Sequence, residues 1–162
     1  MRVILLLLAL ITVACSDNGK SIENGPSDES KLTVANVDLT PKKGTGRWYT
    51  SLQLEEGNKI YSENCASCHG KAAASVEEWR KPDSNGNYPP PPLNGRAHAW
   101  HHPLSIMDKV ISEGGEPLGG VMPAWGSVLS EGQRLKAVAS FQQYWDDETY
   151  GRWMEREESS RE

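Results

Sequence analysis

Phenylalanine occurs once in these 162 residues, at Phe141, and cysteine three times, at Cys15, Cys65 and Cys68. Hydrophobic residues make up only 37% of the chain, so the core it can build by itself is thin, even with six Trp and five Tyr. A large apolar cofactor would complete such a core. Long hydrophobic runs are missing as well: residues 3–13 are nearly all apolar, but that run is too short to span a bilayer as a helix. No repeat and no strand of convincing length is visible. Strong charge of one sign is also missing from most of the chain. Residues 16–47 carry five acids and five bases, residues 48–145 ten and eight, and residues 146–162 seven and three. The negative balance therefore sits mostly at the C-terminal end, which reads as a solvated tail and a weak lure for a basic partner. Without a basic block, nucleic acid is not an expected partner.

What is present at the N-terminus is a leader. Arg2 supplies a positive start, the apolar run follows, and small residues lead to Cys15. The order Thr12-Val13-Ala14-Cys15 resembles the lipobox of bacterial lipoproteins, although Leu is commonest where Thr12 stands. That resemblance implies a signal peptide over residues 1–14 and an acylated Cys15 as membrane anchor. The plainer alternative is a secretory signal followed by an incidental cysteine. Either way the chain is expected to be exported, to the periplasmic side of a bacterial membrane if lipidated and to the periplasm as a soluble protein if not. Lipid on Cys15 would also resolve the odd cysteine count, because an oxidising compartment pairs free thiols.

Residues 15–47 are polar and rich in Gly, Ser, Asn and Asp, with no apolar period. They read as a flexible tether, apart from a weakly signalled patch at residues 32–39. Order is expected from residue 48. Thr50 or Ser51 suits a helix cap, and Leu52, Ile60 and Tyr61 mark an inner face. Gly57 inside this helix costs about 1 kcal/mol against Ala and so needs a packing reason. Residues 71–103 are irregular, with Asn-Gly turns and four consecutive prolines. A second helix is predicted from Pro103, with Leu104, Met107, Val110 and Ile111 on one side and Gly114 or Gly115 at its end. The last opens at Ser130 with a capping box and runs to about residue 145, with Leu135, Val138, Phe141 and Trp145 on one face. The fold class is all-α: three or four helices wrapped in loops over residues 48–150, then a charged tail over residues 151–162.

Cys65-Ala66-Ser67-Cys68-His69 carries the chemistry. Zinc usually needs a second Cys/His pair, and no second cysteine pair exists, although His98, His101 and His102 could contribute. A redox Cys-x-x-Cys belongs beside a βαβ pattern, which is not visible. Cys-x-x-Cys-His is the signature of covalent haem attachment: both thiols bond the haem vinyl groups, and the following His is an axial iron ligand.

Taken together, Gly57 and Tyr61 in a first helix, Cys65 to Gly70, the Pro-Leu-x-Gly loop at residues 92–95, Met122-Pro123 and a final aromatic-bearing helix resemble class I cytochrome c over residues 48–150. The resemblance implies a small cytochrome c domain around one covalent haem c. It further implies that Gly57 and Tyr61 meet Phe141 or Tyr144, and that the Pro91 carbonyl takes a hydrogen bond from the His69 ring. The long connection over residues 71–102 and the three histidines of "AHAWHHP" depart from the smallest members; with the Trp-rich end, they resemble a lipoprotein-type subgroup.

Six side chains compete for the sixth iron position: Met107, Met122, Met154, His98, His101 and His102. Met107 suits a core filler and Met154 an exposed tail residue. Met122, between Gly-Gly and Pro-Ala-Trp, suits a rigid ligand loop, with Trp125 shielding that side. His98, His101 and His102 suit turn and surface positions near a haem propionate, with transient copper binding as the sharper alternative. Two protein ligands leave iron no open position, so the expected function is one-electron transfer in an exported respiratory or redox chain, not catalysis. The expected partners are a redox donor and acceptor. The alternatives are a peroxidase-type haem enzyme and a haem- or metal-sensing lipoprotein.

Overall fold

Two reciprocal capping boxes set the helical frame. In the computed structural model, which describes residues 32–162, Thr50 Oγ1 accepts from the Gln53 N–H at 3.1 Å while Gln53 Oε1 accepts from the Thr50 N–H at 2.8 Å. Ser130 and Gln133 repeat the exchange. Each cap contributes about 1 kcal/mol and fixes where a helix begins. The helices are α1 (Ser51–Asn64), α2 (Ala66–His69), α3 (Leu104–Glu113), α4 (Glu131–Gln142) and α5 (Asp147–Ser159), with short 3-10 turns at Ala99–His101 and Glu116–Leu118. Among the described residues every regular element is helical.

Helices α1 and α4 form the central crossing. A Cβ on Gly57 would lie 2.0 Å from the Lys136 carbonyl oxygen, so the two backbones touch there. That contact is the packing reason for a glycine inside α1, and it outweighs the loss of helix propensity. Tyr61, Leu135, Val138, Ala139 and Phe141 are buried around the crossing. Lys136 is buried beside it, with its ammonium 2.6 Å from a Glu56 carboxylate oxygen. Helix α3 packs against α4, where Arg134 grips Asp108 through Nε at 2.7 Å and Nη2 at 3.1 Å. Leu104 and Met107 are buried on its inner side.

Five expectations differ from this arrangement. Residues 32–47 do not all run free, and the weakly signalled patch at residues 32–39 is the packed part: Val37 is buried, and Leu32, Val34 and Leu39 pack on the core. The Val34 N–H also donates to Glu131 Oε1 at 2.7 Å. Four apolar residues in a polar stretch have no helical or strand period, but each finds apolar surface on the domain. The last predicted helix stops at Gln142, short of residue 145, because the chain turns at residues 143–146; Asp146 then caps a further helix, α5, that was not expected. The expected solvated tail belongs to that helix, whose Tyr150, Trp153 and Glu157 are buried. Met154 is partly buried and packed against the core instead of exposed. Finally, Leu52 is 49% exposed and does not share the inner face with Tyr61.

Candidate functional site

The chain from Cys65 to Gly70 is a single helical turn, held by the Tyr61 and Cys65 carbonyls. The Tyr61 hydroxyl donates to the Gly70 carbonyl at 3.0 Å. Burial holds that phenol protonated far above its ordinary range, so the donor is permanent. Cys65 and Cys68 are both free thiols, the first half-buried and the second exposed. Burial, reinforced by Cys68, pushes the Cys65 thiol up to about 11. A disulfide oxidoreductase needs the opposite shift, toward thiolate. The redox reading of Cys-x-x-Cys is therefore disfavoured on chemistry as well as on fold.

His69 is buried, and its Nδ1 lies 3.0 Å from the Pro91 carbonyl oxygen. A carbonyl can only accept, so Nδ1 carries the proton and Nε2 keeps its lone pair. Burial lowers the His69 pKa, and the Pro91 bond opposes that shift without reversing it. The ring is thus a neutral, oriented donor for a metal. The Pro91 side of this pair is itself fixed. Leu93 and Asn94 donate their N–H groups to the Ala73 carbonyl at 2.8 and 3.2 Å, and the Trp145 indole donates to the Leu93 carbonyl at 2.7 Å.

Two non-glycine residues between the histidine and the prolines occupy left-handed backbone: Ala73 at φ 54° and Ser75 at φ 57°. Each costs roughly 1–2 kcal/mol, the size of the hydrogen bond or two it enables. The Ser75 N–H donates to the His69 carbonyl at 2.8 Å, and its hydroxyl donates to the Pro90 carbonyl. No sequence signal pointed to these residues, because Ala and Ser do not mark positive φ. The Trp145 bond to Leu93 was equally hidden, since 52 residues separate the partners.

Met122 stands on a different element. Its carbonyl accepts from the Gly115 N–H at 2.9 Å, and Trp125 and Gly126 donate to the Ile111 and Ser112 carbonyls. The loop is thereby stapled to the end of α3. Gly114 (φ 82°) makes the close approach possible, because a Cβ there would lie 2.7 Å from the Met122 oxygen. The Met122 and Trp125 side chains are half-buried. The structure thus groups Cys65, Cys68, His69 and Pro91 directly, and sets Met122 and Trp125 on a separately braced loop. Cys15 lies outside the described residues.

The histidine cluster sits elsewhere, on the Ala99–His101 turn packed against α5. His98 and His102 rings are 5.6 Å apart, and His101 lies against Trp100 at 3.8 Å. Burial lowers the His102 pKa, helped by His98, His101 and Arg156. Among the described residues no group of three His, Cys, Asp or Glu side chains is placed to hold a metal ion. The copper alternative gains no support from this geometry.

Two free thiols one helical turn apart and a neutral imidazole with an oriented Nε2 fit the needs of a covalently attached haem iron. The comparisons agree. Residues 52–141 match the family described as cytochrome c oxidase, cbb3-type, subunit III. The chain is also 30% identical over 104 residues to the cbb3-type cytochrome c oxidase subunit CcoP of Rhodobacter capsulatus, covering 60% of this chain and 31% of that protein. It therefore spans about a third of the length of that curated relative. No solved structure matches the chain.

Proposed function

The chain belongs to the family of cbb3-type cytochrome c oxidase subunit III, and from that premise we propose a mono-haem carrier in which Cys65 and Cys68 bind the haem covalently and His69 and Met122 ligate its iron. Electron transfer through a covalently bound haem c in a respiratory chain is the function of this family member. The residue assignments rest above all on one observation: the His69 ring directly follows two free thiols and has its Nδ1–H committed to Pro91. When bound, haem c supplies a reversible one-electron iron couple. The chain's own part is to hold that couple. Pro91 orients the imidazole and strengthens it as a donor, the Met122 loop brings a thioether, and Trp125 helps keep water from that side.

The oxidase named in the relative suggests the partner class. This chain exchanges electrons with a donor and with a terminal oxidase of the cbb3 type. No described helix is long and apolar enough to cross a membrane. A lipid on Cys15 would supply the attachment on the periplasmic side, with the residues between Cys15 and the packed segment at 32 as tether. Changing Cys15 to Ser should release the protein to the soluble fraction; wild type that is already soluble after export would refute the anchor.

The ligand assignment is tested on Met122→Ala and Met107→Ala. Met122→Ala should lose the iron–sulfur charge-transfer band of the oxidised protein and gain binding of exogenous ligands, and with them peroxide turnover. Met107→Ala should keep the band while losing about 2–5 kcal/mol of stability, because that side chain is buried core. Haem that leaves the protein under denaturing electrophoresis would remove the thioether assignment. Substantial peroxide turnover by wild type would favour the enzyme reading instead.

A further inference from the structure

We infer that Ser75 is a positioning residue for the His69 imidazole. The inference rests on the reading of His69 as iron ligand. Ser75 touches both ends of the His69–Pro91 pair. Its N–H donates to the carbonyl of His69 itself at 2.8 Å. Its hydroxyl donates to the carbonyl of Pro90, one residue before the carbonyl that accepts the ring proton at 3.0 Å. The contacts close a ring: His69 backbone, Ser75, Pro90, Pro91 and back to the His69 side chain. A proline segment has no N–H groups with which to pin itself, so its carbonyls depend on outside donors for their position.

The backbone at Ser75 favours glycine. At φ 57° a glycine would be unstrained, yet the residue is serine, and its hydroxyl is what glycine lacks. Ala73 provides the contrast. It is also left-handed, but its carbonyl serves Leu93 and Asn94, a task any residue performs. Of the two left-handed residues, Ser75 alone has a polar side-chain atom, and that atom reaches the proline segment that supplies the imidazole's acceptor. A fixed Pro91 acceptor draws density from Nδ1–H toward Nε2 and favours the oxidised iron. Loosening it therefore raises the reduction potential.

The experiment compares haem-loaded full-length wild type with Ser75→Gly, Ser75→Thr and Ala73→Gly. It reads the reduction potential, the solvent exchange of the His69 Nδ1 proton by NMR, and the urea midpoint. Ser75→Gly should shift the potential upward and speed exchange by about tenfold, the loss of roughly one hydrogen bond's worth of holding. Its urea midpoint should stay level or rise, because strain is relieved. A residue with a merely structural role would move stability and leave the potential alone. Ser75→Thr, which keeps the hydroxyl under greater strain, should keep the wild-type potential at a lower midpoint. Ala73→Gly should leave potential and exchange as in wild type. Wild-type potential and exchange in Ser75→Gly would overturn the proposal while leaving the ligand reading intact. An unchanged haem spectrum in His69→Gly would instead overturn the ligand reading, and the proposal with it.

Discussion

Trp48, Trp145 and Trp153 are buried, whereas Trp79, Trp100 and Trp125 are half-buried. The first three lie outside the family-matched span of residues 52–141, and the second three lie inside it. The flanks find each other directly. Arg47 pairs with Asp147 at 2.8 Å, donates to the Trp145 carbonyl at 3.2 Å and lies 4.0 Å over the Tyr150 ring. The Trp48 N–H donates to the Tyr150 hydroxyl at 3.0 Å and its indole to Gln142 at 2.7 Å. The flanking segments thus close on one another, and the aromatic contacts between them are a source of stability of their own.

The strongest way to break that contrast is Trp153→Ala, which should cost about 3–5 kcal/mol in urea unfolding. The folded fraction should keep its haem spectrum, because Trp153 belongs to the flank side. A loss under about 1 kcal/mol would mean that the flanks add little. Glu157→Gln sharpens the picture next. The Glu157 carboxylate is 1% exposed and accepts from the Leu104 N–H at 2.6 Å, so α5 caps the start of α3 from a distance. It also pairs with Arg161 at 2.6 Å. The amide should cost roughly 1–3 kcal/mol, against less than about 0.5 for Glu155→Gln on the exposed side. Equal effects of the two changes would remove the remote cap.

The smallest effect is on pH. Burial lowers the His69 pKa, so folding favours its neutral ring. That stability is present above the unfolded histidine value near 6.5 and is lost as the pH falls below it, by at most about 1.4 kcal/mol per pH unit for each proton taken up. The shifted carboxylates titrate lower: Asp38, held at about 2 by Lys42, is silent above pH 5. The urea midpoint of the haem-free chain should therefore fall between pH 7.5 and 5.5. A midpoint that is flat or rises toward acid would contradict this sign.

Much of the candidate site was legible because its chemistry is local. Cys65, Cys68 and His69 fall within five residues, Thr50 and Ser130 announce their caps within one turn, and Gly114 ends α3 as its sequence suggests. Such features need only neighbours along the chain, so residue order carries them. The thin apolar inventory likewise pointed to a cofactor before any fold was known. Tertiary structure alone decided what depends on distant partners. Leu52 faces outward and Val37 inward, although hydrophobicity ranks them alike. The acidic end became a helix because Trp153 and Glu157 meet surfaces some fifty residues away at His102 and Leu104. Ser75 adopts a glycine-like backbone because carbonyls on both sides of a loop converge on it. A contact between residues far apart in sequence leaves no period and no motif; it exists only once the chain has folded around it.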